Sequence, residues 1–133
     1  MEHATLRVAP TSTYKIYDAL FGLEEEIITP ETSFIAWNGE TYPFEAWNAA
    51  QTLQSAMNSS VNWYFESVDE QLGAAKISNY IEEIGYGNEN ISGDFSTYWM
   101  ESSLKISPIE QVELLSRLQN NSLGFSPENI NAV

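Results

Sequence analysis

Cysteine is absent from the 133 residues, and histidine occurs once, at position 3. The first absence removes disulfides and thiolate metal sites, leaving the compartment undetermined, because exported proteins also do without disulfides. The second leaves neither a zinc site nor a histidine-based triad to expect. Basic residues are scarce: five Lys and Arg stand against nineteen Asp and Glu, for a formal charge of −14. The five (Arg7, Lys15, Lys76, Lys105, Arg117) are scattered, so nucleic acid and anionic membrane surfaces are poor partners and neither is expected. No apolar run reaches the roughly 18 residues that span a bilayer, and nothing at Met1 reads as a signal peptide. No Gly-rich loop followed by Lys suggests nucleotide binding, and no metal or other cofactor is expected. What is abundant is aromatic: four Trp, seven Tyr and six Phe argue for a folded chain.

No repeat, low-complexity tract or linker divides the sequence, so residues 1–133 are expected to form a single helical domain, or a fragment of one. A first helix is predicted from Thr11 or Ser12 to about Gly22, with Ile16, Ala19, Leu20 and Leu23 inward. From Ile28 to Trp47 the chain reads as turns, with "SFIAW" at most a short strand and the aromatics serving as plugs. "TLQSAMNSSVNWYFESVDEQLG" reads as helix on both sides of an interruption near Asn58 to Ser60. Leu53, Ala56 and Met57 face inward before the break; Trp63 or Tyr64, Phe65, Val68 and Leu72 do so after it, and Gly73 is the stop. "AAKISNYIEEIG" is a further helix, followed by a turn-rich stretch in which Gly85, Gly87 and Gly93 free the backbone. Ser107, Pro108 and Glu110 spell a capping box, with Val112, Leu115 and Leu118 at helical spacing behind it, and "SPEN" at 126–129 starts a last helix.

Ser12 and Lys15 stand three residues apart, which on a helix lets a hydroxyl and an amine share one face. The pair fits a nucleophile and its base, provided that lysine loses its proton through desolvation or modification. It equally fits a cap and a surface ion pair. Ser60 and Asn62, at the helix interruption, fit a proton relay and a ligand-holding amide, or ordinary local backbone bonding. Tyr86 and Asn88 flank Gly87 in a turn able to present a phenol and an amide. Trp99 offers an indole N–H to a polar modification beside a buried lysine, or fills core. The carboxylates Glu24, Glu25, Glu26, Asp69, Glu82 and Glu83 sit in runs that read as solvated faces.

Taken in order, "APTSTYKIYDALFGLEEEIITPETSFIAWNG", "AWNAAQTLQSAMNSSVNWYFE" and "YIEEIGYGNENISGDFSTYWMESSLKISPIEQVELLSRLQNN" resemble the penicillin-recognising serine proteins. Within them the likeness is to class D beta-lactamases and to the extracellular sensor domains of beta-lactam receptor-transducers, which signal antibiotic resistance. The resemblance implies Ser12 as acylated nucleophile and Lys15 as base, N-carboxylated in an intact parent site but not expected so in an isolated lobe. It implies Ser60 as the serine of the second motif and Asn62 as its third position. Class D enzymes usually carry Val there, whereas sensors carry Asn and continue with a similar "NWYF", so the balance tilts toward a sensor. Tyr86, Gly87 and Asn88 match the family's YGN loop, and Trp99 the tryptophan that holds the modified lysine in the enzymes. The family fold sets a helical lobe against an antiparallel sheet whose inner strand carries Lys-(Thr/Ser)-Gly, a triplet absent from this sequence. The expectation is therefore a mainly α structure: a compact helical lobe lacking most or all of the sheet. Its expected function is that of a serine-acylated beta-lactam sensor fragment, impaired or inactive in isolation. The alternatives are an isolated or redesigned structural module without catalysis, and a fragment of a hydrolytic class D enzyme. Expected partners are a beta-lactam, a second copy, or a sheet-containing fragment, with the parent domain on the extracellular or periplasmic side.

Overall fold

The computed structural model describes residues 6–92, 98–99, 103–121 and 123–133, and the side chains of all of these except Thr11 and Ser12. His3 and Gly93 lie outside the described residues. A 3₁₀ turn, Thr11–Tyr14, leads directly into α1, Lys15–Glu24; then follow α2 (Leu53–Asn58), α3 (Asn62–Leu72), α4 (Ala74–Ile84), α5 (Pro108–Gln119) and α6 (Pro127–Ala132). A second 3₁₀ turn, Glu45–Trp47, interrupts the long loop between α1 and α2. No extended strand occurs among the described residues. Isolated antiparallel bridges join Val8 to Ile106 and Ile35 to Gln51.

α1 is the central element: it packs on α3 and α6, and α3 in turn packs on α4. Gly22 makes the α1–α3 approach close, because a methyl group there would meet Val68 Cγ1 at 2.8 Å. The expected helix stop at Gly22 is thus a packing position, and α1 runs on to Glu24. Leu20, Phe21, Phe65, Val68, Ile77, Ile81, Leu104 and Ile106 are fully buried around this contact. Burial of such side chains, about 1.5–3 kcal/mol each, is what holds the short helices in place.

The break between α2 and α3 falls where the sequence placed it. α2 has a complete capping box, Thr52 with Ser55, and the chain turns through Ser60 at φ 52° before α3 begins. Hydrogen bonds from the Trp63 indole to the Trp47 carbonyl (2.9 Å) and from the Trp47 indole to the Ser59 carbonyl (3.0 Å) tie the long loop to this break. The aromatic residues of that loop are not all plugs, since Phe34, Trp37 and Phe44 are exposed. α5 departs from its expected register as well. Its capping box forms as read, with Ser107 accepting from the Glu110 amide and Glu110 from the Ser107 amide. Leu114 is the buried residue of α5 and Leu118 is partly buried, while Ile109, Val112 and Leu115 are exposed. Spacing by three admits either stripe; the contact of Arg117 with the Ile84 carbonyl (3.2 Å) belongs to the observed rotation.

Candidate active site

Lys15 opens α1 and is 2% exposed. Its ammonium donates to the Ser60 carbonyl at 3.1 Å and lies 5.7 Å from the ring centroids of both Phe65 and Trp99. The left-handed backbone at Ser60 aims that carbonyl inward while the residue itself remains exposed. Burial is the cause that lowers the Lys15 amine from 10.5 to about 8. At neutral pH about a tenth of such an amine is unprotonated, against well under about 0.1% of a solvated lysine, so it can act as a base. Ser12 sits in the 3₁₀ turn one helical step ahead of Lys15. Asn62 begins α3, half-buried, directly after the Ser60 turn. The loop between α2 and α3 and the start of α1 therefore meet at Lys15.

The remaining candidates are placed differently. Tyr86 is buried, with its ring edge-on to Tyr14 and Tyr17 at 5.4 and 5.3 Å. The expected turn presenting a phenol is corrected: the phenol is in the core, and burial pushes its pKa far up. Asn88 spends its amide on backbone, donating to the Ser103 carbonyl and accepting from the Lys105 and Asn90 amides. Gly87 between them, at φ 48°, lies so close to the Lys105 carbonyl that no side chain fits. The YGN turn thus clamps the segment that follows Trp99. The indole of Trp99 presents its face to Lys15 but donates its N–H to Asp69 Oδ2 at 3.1 Å.

Asp69 corrects the reading of its run as a solvated face, for it is 1% exposed. It also accepts from the Tyr98 phenol at 3.2 Å, which in turn shares a hydrogen bond with the Tyr14 phenol at 2.8 Å. Facing it is a residue missed in the sequence, Asp18, fully buried on α1. Among the described residues no group donates to either Asp18 oxygen, and the Asp69 carboxyl is its polar neighbour. Burial, then the neighbouring carboxyl, pushes Asp18 well up; burial also raises Asp69, opposed by its donors Trp99 and Tyr98. Asp18 is thus the more readily protonated of the two, while the donors Trp99 and Tyr98 favour the anion at Asp69. A carboxylate three positions from Lys15, within the apolar run "YDALFGL", was the available signal. The other candidate carboxylates are peripheral: Glu24 accepts from Ser126 and Asn129, Glu25 pairs with Lys76 at 3.2 Å, and Glu26, Glu82 and Glu83 are exposed. A groove of about 680 Å³ between the long loop and α2, lined by Pro30, Phe34, Leu53, Met57 and Val133, includes none of the candidate residues.

The family model for the penicillin binding protein transpeptidase domain matches residues 2–131. The regulatory protein BlaR1 of Bacillus licheniformis is 44% identical over 132 residues, which are 99% of this chain and 22% of that protein. The C-terminal domain of the Bacillus licheniformis BlaR penicillin-receptor superposes with a TM-score of 0.95 at 44% identity, covering 98% of this chain and 53% of that one. A class D beta-lactamase from Bacillus subtilis superposes with a TM-score of 0.95 at 35% identity, covering 98% and 55%. The chain thus spans about a fifth of that BlaR1 protein and about half of either solved domain. With a helical lobe, a buried lysine after a serine and a matching family model, this chain belongs to the penicillin-binding transpeptidase-domain family, beside BlaR1 sensor domains and class D beta-lactamases.

Proposed function

We propose that this chain carries the nucleophile-bearing half of a beta-lactam sensor site, with Ser12 acylated and Lys15 as its base. The observation that carries the reading is Lys15: buried, pinned to the Ser60 carbonyl, and lowered to about 8 three residues after the serine. In the proposed step the Ser12 hydroxyl attacks the lactam carbonyl as Lys15 takes its proton. The lactam C–N bond breaks, and the proton passes through Lys15 and Ser60 to the departing nitrogen. Ring opening releases nothing, so the adduct gains the whole mass of the antibiotic. Asn62, where hydrolytic relatives usually carry Val, favours a lasting adduct as the signal over turnover.

The sequence holds no Lys-(Thr/Ser)-Gly triplet, and the oxyanion and the substrate carboxylate need donors on the opposite wall. Acylation of the chain alone is accordingly expected to be slow. The amine, flanked by two ring faces with the indole N–H committed to Asp69, is expected unmodified, and carbon-13 bicarbonate labelling checks this. The parent domain faces the extracellular or periplasmic side in this reading. Exposed Ile109, Val112 and Leu115 on α5 offer an apolar face to a sheet-bearing fragment or a second copy. Intact-mass spectrometry after incubation with benzylpenicillin is the test of function. A mass increase of one antibiotic, lost in Ser12→Ala, supports acylation; no increase rules it out for this chain and leaves the structural module. Turnover of a chromogenic cephalosporin would instead favour the class D enzyme.

A further inference from the structure

The proposed acylation step leaves unused a deeply buried polar cluster that reaches the base through Trp99. Asp18 and Asp69 are 0% and 1% exposed, and they come from the two helices whose packing forms the centre of the fold. Asp69 reaches three ways: to the Trp99 indole, to the Tyr98 phenol and to Asp18. The Tyr14 phenol, immediately before Lys15, extends the chain of bonds through Tyr98. The rings of Tyr14 and Trp99 also stack, at 26° and 6.1 Å. An indole N–H lies in the ring plane. A carboxylate that captures it fixes the plane, and with it what the ring turns toward its other neighbours.

We propose that Asp69 is the positioning residue of the Lys15 pocket: it anchors the Trp99 indole so that the ring face covers the lysine amine. The face shields the amine from water; the donor edge, turned away, holds nothing at Lys15. Burial is the cause of the lowered Lys15 affinity for protons, so loosening the ring should readmit water and restore that affinity. Groups facing Asp69 are Asp18 from α1, Tyr14 from the 3₁₀ turn, Tyr98 and Trp99 from the later segment, and Glu70 beside it on α3. Asp69 receives two donors, the Trp99 indole and the Tyr98 phenol, which Asp18 lacks. This role rests on the reading of Lys15 as the base of Ser12.

The test is the titration of Lys15 followed by NMR of its Cε-labelled side chain, in the full chain, with the rate of penicillin adduct formation measured alongside. In Asp69→Ala the Lys15 midpoint should rise by about one unit or more, cutting the neutral amine at pH 7, and any acylation rate with it, about tenfold. Asp69→Asn keeps an oxygen for the indole and should stay within about 0.3 unit of the native midpoint, whereas Asp69→Leu, which fills the space without an acceptor, should shift as Asp69→Ala does, an outcome a space-filling role would not give. Trp99→Phe, which deletes the donor and keeps a ring, should shift Lys15 upward and serves if Asp69→Ala does not fold. An unshifted Lys15 in a folded Asp69→Ala or Trp99→Phe chain, or a shift in Asp69→Asn as large as in Asp69→Ala, overturns the proposal. Failure of Ser12 to take up penicillin would defeat the sensor reading, while the titration decides the role of Asp69 separately.

Discussion

Asp18→Asn should raise stability at neutral pH relative to the native chain, with a gain that shrinks as pH falls. The native Asp18 is fully buried and keeps its proton, because burial and the facing Asp69 carboxyl raise its pKa well above the usual carboxylate range. In the unfolded chain the same carboxyl ionises near pH ~3.9. Between that value and the raised folded value the folded state binds a proton that the unfolded state lacks, so stability falls as pH rises. One proton corresponds to about 1.4 kcal/mol per pH unit. Each such unit is a sizeable share of the roughly 5–15 kcal/mol typical of a domain, so the effect is read by comparing pH ~5 with pH ~7. Asparagine keeps the donor toward Asp69 and has no proton to lose. Urea denaturation at both pH values measures the difference between the two chains. A second amide hydrogen at position 18 adds a penalty that is the same at every pH, so the change in the difference, not its absolute size, is decisive. A difference that does not grow between the two pH values would refute a proton held on Asp18.

Glu110 should behave with the opposite sign. Its hydrogen bonds with Arg7, then those with Ser107, lower it to about 2, so its contribution is present above the unfolded value near ~4.3 and is lost as pH falls through about 2. Acid unfolding of Glu110→Gln should therefore show a shallower loss over that range. Ser107→Ala removes the side-chain acceptor of the α5 cap and should cost about 1 kcal/mol by urea denaturation. Gly87→Ala should cost more than about 3 kcal/mol in thermal melts, since it combines a positive φ with a collision against the Lys105 carbonyl. If the α5 face mediates association, Val112→Glu with Leu115→Glu should abolish any concentration dependence in sedimentation, and a native chain monomeric at every concentration would remove that role.

Much of this architecture was legible because local rules and the global fold agree. The α5 capping box, the α2–α3 interruption at Ser60 and the arrest of α3 at Gly73 each rest on backbone chemistry within a few residues, which a sequence displays directly. The serine–lysine spacing is likewise local, and the ordered motifs around it carried the family. Burial depends on the whole chain, and there local rules fell short. Asp69 stands in "ESVDEQL" among charged neighbours and looks solvated; α1 covers it. Val112 and Leu115 satisfy helical spacing as well as Leu114 and Leu118 do, and contacts with other elements selected the latter.

The sequence by itself determined where helices start and stop, that a serine and a lysine lie one helical step apart, and that metal, thiol and histidine-triad chemistry have little to work with. Tertiary structure alone decided that Lys15 is dry, that the Ser60 carbonyl meets it, and that the Trp99 indole turns its N–H to Asp69. The reason is physical. A proton affinity or a ring orientation is set by solvent exclusion and by partners 30 to 84 positions away along the chain, and such partners meet only after the helices pack.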